Sequence, residues 1–129
     1  MINDDLPHLV AGACMNVHRS LGPGLLREAY EECLVLELRS LELSVRRGEP
    51  LSFEYQGQTV RNAARLDLVI EDTLLVQVLS VEAVSASERQ KMETLLRLGG
   101  LKAGLLVNFN VPVMRKGIER FTVKRREAD

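Results

Sequence analysis

The sequence predicts an α/β fold in which helices cover both faces of a mixed β-sheet. The hydrophobic period is helical at the N-terminus, changes to strand-like patterns after residue 50, and returns to helical between two buried strand-like runs. The chain has 129 residues, of which 46% are apolar and 27% charged, with a net charge of −1. This composition argues against a disordered chain and fits one domain over residues 1–129.

Two helices are predicted at the start of the chain. Apolar residues from Leu6 to Leu21 recur at the i, i+3, i+4, i+7 spacing of an amphipathic helix. Gly22-Pro23-Gly24 ends this helix, because glycine suits the position after a helix and proline cannot continue it. A second helix is predicted from Leu26 to Leu43, with Leu36 off its apolar face.

The next segments have the patterns of strands. Leu51–Tyr55 alternates between apolar and polar residues, and Gln56-Gly57-Gln58 predicts a turn into a short strand around Thr59-Val60. Two further strands are predicted over Arg65–Ile70 and Leu74–Val81. The latter is apolar on both faces, which is typical of a central strand covered on both sides.

A third helix is predicted to begin at a cap formed by Ser85 or Ser87 and to end near Leu98, before Gly99-Gly100. The remaining segments are a buried strand at Ala103–Phe109, a helical turn near residues 115–117 and a final strand. The predicted order is therefore helix, helix, three or four strands, helix and strand.

The two cysteines, Cys14 and Cys33, are too few for a disulfide scaffold, and we expect both to lie in the core. Cys14 and His18 share a helix face, as a nucleophile and its base would, but no third orienting group is visible. The first residues show no basic region and no apolar run, so we expect no secretory signal, and no apolar stretch approaches the roughly 20 residues that span a membrane. We therefore expect a cytoplasmic protein with no membrane partner.

Three stretches together resemble one family: residues 17–26, 30–32 and 105–109. They are similar to the bacterial GxxExxY proteins, a branch of the PD-(D/E)XK nuclease superfamily, and residues 65–69 and 111–118 also fit. The resemblance covers nearly the whole chain. It implies a restriction-endonuclease-like αβββαβ core, which is the order of elements predicted above.

The resemblance also implies a site for Mg²⁺ or Mn²⁺, built from an Asp on one strand, a Glu and a Lys on the next, and a Glu on the N-terminal helix. Asp67 occupies the first position and is the one remnant metal ligand. The other positions hold Arg27, Gln77 and Leu79 in place of Glu, Glu and Lys. These changes remove negative charge, remove the lysine and bring in a cation that repels a metal ion.

We therefore expect an inactive nuclease fold that needs no cofactor. A lone buried carboxylate is costly, so Arg27 is predicted to form an ion pair with Asp67, with Gln77 adding a neutral hydrogen bond. The fold would then serve homo-oligomeric assembly or binding. Apolar surface for assembly is expected at Leu36, Leu79 and Leu98.

Two alternatives stay open. One is a metal-dependent nuclease with relocated groups, in which Glu28 and Lys91 replace the missing residues and Mg²⁺ or Mn²⁺ is required. The other is a non-catalytic nucleic-acid binder, although the near-neutral chain lacks the usual excess of positive charge. Its candidate contacts are Arg46, Arg47, Arg61 and Arg65, together with the basic C-terminal residues Arg115, Lys116, Lys124, Arg125 and Arg126.

Overall fold

The computed structural model describes residues 5–123, which form three helices and a five-stranded sheet. In chain order the elements are α1 (Leu6–Leu21), α2 (Arg27–Ser40), β1 (Val45–Tyr55), β2 (Gln58–Ile70), β3 (Leu74–Leu79), α3 (Ala86–Gly99), β4 (Ala103–Asn108), a 3₁₀ turn (Met114–Gly117) and β5 (Ile118–Thr122). This order confirms the predicted α/β fold and its αβββαβ core.

The strands lie in the sheet in their chain order, from β1 at one edge to β5 at the other. β3 and β4 are parallel, whereas the other neighbouring pairs are antiparallel. A parallel pair needs a crossover connection, and α3 supplies it. The sheet is therefore mixed.

Helices cover the sheet on both faces, as its central strand requires. In β3, Leu74, Val76 and Val78 belong to the core that includes α1 and α2, whereas Leu75 belongs to the core beneath α3. This alternation explains why the strand is apolar on both faces. Cys14 is buried in the first core and Cys33 packs half-buried against it, as expected.

The observed elements differ from the predicted ones mainly at their boundaries. The second helix ends at Ser40 instead of Leu43, because Glu42 has a left-handed φ of 63°. The segment predicted as two short strands is the single strand β2. β1 begins at Val45, well before the predicted start at Leu51, and an edge strand tolerates its Gly48 and Pro50.

β2 and β3 pair over only part of their length. The ladder joins Leu68–Ile70 to residues 74–76, while the rest of β2 pairs with β1 alone. The two strands thus separate beyond Leu68 and Val76, and we call this opening the fork. Asp67 and Gln77 are the first residues past it, so the fork determines where their side chains lie.

None of the helices described combines the length and the apolar composition that crossing a bilayer requires.

Candidate functional site

The side chains of Asp67 and Gln77 bridge the fork. Asp67 Oδ2 accepts a hydrogen bond from the backbone N–H of Val78 at 2.9 Å. In the other direction, Gln77 Oε1 accepts from the backbone N–H of Asp67 at 2.7 Å, and Gln77 Nε2 donates to the carbonyl of Arg65 at 3.2 Å. These side chains supply the hydrogen bonds that the interrupted ladder no longer provides.

Two arginines complete the surroundings of the Asp67 carboxylate. Arg65 Nη1 donates to Oδ1 at 2.6 Å, and Arg27 Nη2 lies 3.2 Å from Oδ2. Arg27 is the first residue of α2, and its Nε also donates to the carbonyl of Val78 at 3.0 Å. The predicted ion pair between Arg27 and Asp67 is therefore present, in a site where the Asp67 side chain is 10% exposed.

The hydrogen bond expected from Gln77 is made, but to different atoms. Gln77 contacts the backbone N–H of Asp67 and not its carboxylate. The carboxylate oxygens are already occupied by guanidinium and backbone N–H donors, so the amide bonds to the open backbone groups beside them.

Glu31 is the site residue that the sequence did not reveal. It lies on α2, one turn after Arg27, and its side chain is only 1% exposed. Arg27 Nη2 forms an ion pair with its Oε1, Arg47 Nε donates to its Oε2 at 2.7 Å, and Arg65 donates to both oxygens at 2.9 Å. We call Arg27, Glu31, Arg47, Arg65 and Asp67 the arginine–carboxylate cluster.

The arginines keep Glu31 ionised despite its burial. Burial alone would raise the pKa of this carboxyl, but hydrogen bonds from Arg65, Arg47 and Arg27 outweigh it and lower the pKa from 4.5 to about 2. A signal for this residue was available: an acid next to buried Tyr30, with an arginine four residues earlier on the same helix face.

The cluster does not fit Mg²⁺ or Mn²⁺. Both oxygens of Glu31 and both oxygens of Asp67 already have protein donors, and three guanidinium groups surround the two carboxylates. A divalent cation needs free oxygen ligands and is repelled by nearby positive charge. Residues 5–123 contain no group of three or more His, Cys, Asp or Glu side chains placed to hold a metal ion.

The residues considered for a relocated nuclease site do not join the cluster. The Glu28 side chain is 69% exposed, and its one ion pair within residues 5–123 is a 3.6 Å contact with Arg27. Lys91 is exposed on α3 and forms no ion pair with the carboxylates of the described chain. The position expected to hold lysine, Leu79, is half-buried and packs against the core beneath α3.

An open cleft lies beside the cluster. Leu79 forms part of its wall, and the loop between α1 and α2 forms its rim, where Leu26 is 77% exposed. The cleft is lined by Gly24, Leu25, Leu26, Arg27, Glu28, Leu79, Ser80, Val81 and Asn110.

Tyr30 fixes the loop that forms this rim. Its hydroxyl donates to the carbonyl of Gly22 at 2.5 Å and accepts from the backbone N–H of Leu25 at 3.1 Å. The ring stacks on Phe109 with 4.6 Å between centroids. On the opposite side of the loop, Ser80 Oγ donates to the carbonyl of Leu25 at 2.7 Å.

Cys14 and His18 do not form a nucleophile and base pair. Burial raises the pKa of the Cys14 thiol to about 12, so the thiolate is disfavoured. His18 Nε2 lies at hydrogen-bond distance, 2.7 Å, from the carbonyl of Val111. His18 therefore links the end of α1 to the segment after β4.

Three of the four arginines considered for nucleic-acid contact on β1 and β2 are engaged by acids. Arg47 and Arg65 belong to the cluster, and Arg46 pairs with Glu49 at 3.5 Å and Asp72 at 3.2 Å. Arg61 is exposed on β2. Of the C-terminal candidates, Arg115 and Lys116 are exposed on the 3₁₀ turn, and Lys124, Arg125 and Arg126 lie outside the described residues.

A family model for the PD-(D/E)XK nuclease superfamily matches residues 4–121. The chain therefore belongs to the PD-(D/E)XK nuclease superfamily. No curated protein and no solved structure matches it. The family match agrees with the mixed sheet and the placement of helices on both of its faces.

Proposed function

We propose that this chain is a catalytically inactive member of its superfamily, from the GxxExxY branch, whose fold serves homo-oligomeric assembly. The observation that carries the proposal is the set of donors around the Asp67 carboxylate. Both of its carboxylate oxygens are held by donors from the protein itself, in the place where the resemblance expects a metal ligand.

The substitutions around Asp67 support inactivity as a set. Arg27 is a fixed cation that neutralises the carboxylate without offering a coordination site for water or phosphate. Gln77 has the donor that the Arg65 carbonyl requires, which a carboxylate would lack. Leu79 has no proton and no charge to contribute to phosphodiester cleavage.

The GxxExxY branch is supported by Gly24 and Tyr30, which stand at the Gly and Tyr positions of the motif. The Tyr30 hydroxyl holds the loop on both sides of Gly24, so this part of the motif has a structural role. Arg27 lies between them, at the position of the motif's Glu. Loss of the Glu with retention of the Gly and Tyr is what inactivation that keeps the fold would produce.

Assembly is supported by leucines that the domain leaves open to solvent. Leu36 is 64% exposed and Leu98 is 36% exposed, whereas Leu79 is half-buried. Leu26, at 77%, is the most exposed large apolar side chain among residues 5–123. Exposed apolar side chains are typical of protein–protein contacts where they lie together, as Leu26 and Leu79 do along one cleft.

The test of inactivity is a calorimetric titration of the purified protein with Mn²⁺. We expect no saturable binding in the wild type or in Asp67→Ala. The triple variant Arg27→Glu, Gln77→Glu, Leu79→Lys restores the expected ligands and should gain Mn²⁺ binding, which shows that the assay can detect a site. Wild-type binding that Asp67→Ala abolishes would contradict the proposal and favour the nuclease with relocated groups.

The test of assembly is the molar mass in solution, measured by sedimentation equilibrium. We expect a mass of at least twice the 14.4 kDa of one chain. A mass equal to one chain at micromolar concentration would contradict this half of the proposal, whatever the metal titration gives.

A further inference from the structure

We infer that the cleft beside the arginine–carboxylate cluster is a two-fold interface that receives Leu26 from a second copy of this chain. The inference rests on the proposed assembly and gives it a definite surface. In the resulting dimer, each copy inserts its Leu26 into the cleft of the other, against Leu79 and Val81.

The cleft and the side chain that fills it lie on the same face of the molecule. Leu26 is 77% exposed on the rim, next to Leu25 at 43%, and Val81 lines the cleft at 37% exposure. A two-fold interface uses one patch twice, so it must contain both a protrusion and the hollow that accepts it. This face contains both, within one set of neighbouring residues.

The charges on the rim are also matched to a second copy. Arg27 and Glu28 are adjacent, with side chains 28% and 69% exposed, and they carry opposite signs. A two-fold rotation brings the acid of one copy toward the arginine of the other. Such a rim is complementary to itself, which gives an interface its register.

The same features disfavour a nucleic-acid occupant. The most exposed charged group on the rim is the carboxylate of Glu28, which repels phosphate. Leu79 contributes an apolar wall where a lysine would contact the backbone of a nucleic acid. An apolar side chain from a protein matches this wall better than a phosphate does.

The protruding residue is held in place before binding. Tyr30 and Ser80 hold the backbone of Leu25 from two sides, and α2 begins immediately after Leu26. Little backbone freedom is therefore lost when Leu26 is buried. A rigid anchor contributes more affinity than a flexible one of the same area.

The experiment compares the wild type with Leu26→Asp by sedimentation equilibrium at concentrations from about 1 to about 100 μM. Leu26 is the N-cap residue of α2 and makes no side-chain capping bond, and aspartate is a favourable N-cap. The variant should therefore stay folded, and its circular dichroism melting curve checks this. The matched control is Leu9→Glu, which adds the same charge at an exposed leucine of α1 outside the cleft.

The expected result is a wild-type dimer whose dissociation constant rises by about tenfold or more in Leu26→Asp. The control Leu9→Glu should dimerise like the wild type. A multimer that Leu26→Asp leaves unchanged, or that both variants dissociate equally, would overturn this interface while leaving assembly itself in place. A monomeric wild type would overturn the interface and the proposed assembly together, without affecting the metal titration.

Discussion

Arg27 Nη2 lies 3.2 Å from Asp67 Oδ2, so a guanidinium fixed to the start of α2 neutralises the carboxylate at the fork. The same nitrogen forms an ion pair with Glu31, four residues further along the helix. One arginine thereby links two carboxylates from separate elements of the fold. A resident side chain thereby supplies positive charge at the position where the resemblance implies a metal ion.

Glu31→Gln should destabilise the protein by about 3 kcal/mol at neutral pH, because three arginines lose their shared buried partner. The pH dependence follows from the lowered pKa. The Glu31 carboxyl titrates at about 2 in the folded chain, against 4.5 when unperturbed, so its contribution is present above 4.5 and is lost as the pH falls toward 2. Urea unfolding from pH 7 to pH 2 measures this.

The difference between wild type and Glu31→Gln should therefore shrink as the pH falls, since both side chains are then neutral. Comparing the two proteins cancels the titration of the carboxyl groups outside the arginine–carboxylate cluster. A difference that stays constant from pH 7 to pH 2 would mean that the arginines do not hold Glu31 ionised.

Asp67→Ala should cost about 2–4 kcal/mol of stability, because it leaves the Val78 N–H without its acceptor and removes one of the two carboxylates that Arg27 and Arg65 share. Chemical denaturation at pH 7 measures the loss. Glu119→Ala is the matched control, since Glu119 also pairs with an arginine, at 2.8 Å, but its side chain is 45% exposed. An exposed pair contributes only up to about 1 kcal/mol. Equal losses in the two variants would show that Asp67 has no special role at the fork.

Gln77→Glu should lower stability by about 1–3 kcal/mol at pH 7, because an ionised oxygen would face the carbonyl of Arg65. The introduced carboxyl group, once protonated, could donate to that carbonyl as the amide does. Its folded pKa should therefore exceed the unfolded value, and the penalty should diminish as the pH falls.

The measurement for Gln77→Glu is the free energy of unfolding at pH 7 and near pH 4, with Gln77→Met as a control of similar size that cannot titrate. Recovery at low pH in the Gln77→Glu variant alone is the expected outcome. If Gln77→Glu matches the wild type at pH 7, the amide is not needed to bridge the fork.

Tyr30→Phe should cost about 1–2 kcal/mol, because it removes two hydrogen bonds to the loop while keeping the ring that stacks on Phe109. Amide exchange at Leu25 should accelerate, since its N–H loses the acceptor. Tyr55→Phe, at a tyrosine that is 63% exposed, should change neither quantity. Unchanged exchange at Leu25 in Tyr30→Phe would argue against the hydroxyl as the group that fixes the loop.

Much of the fold is encoded locally. The stripe from Leu6 to Leu21 and the glycine that follows it define α1, and Gly22 does adopt a left-handed φ of 74° there. The continuous apolar run of β3 indicated a strand covered on both sides, which it is. Such features follow from sequence because periodicity records which faces of an element are buried.

The strands before β3 were harder to predict from the sequence because their environment is less apolar. Arg46, Gly48 and Pro50 give no strand pattern, yet they lie in β1, where an edge position and pairing with β2 override local preference. The long β2 was read as two strands because its exposed first half lacks the apolar residues of its second half. Partners across a sheet, and not local sequence, determined these elements.

The arginine–carboxylate cluster was likewise only partly predictable from the sequence. The resemblance put Arg27 and Asp67 in one site, and a buried carboxylate needs a partner, so their ion pair could be predicted before the structure. Only the tertiary structure placed Glu31 at the centre, because Arg47 and Arg65 reach it from β1 and β2 through strand register. Side-chain periodicity is a local property of the chain, whereas the convergence of three arginines on one acid depends on how distant segments pack.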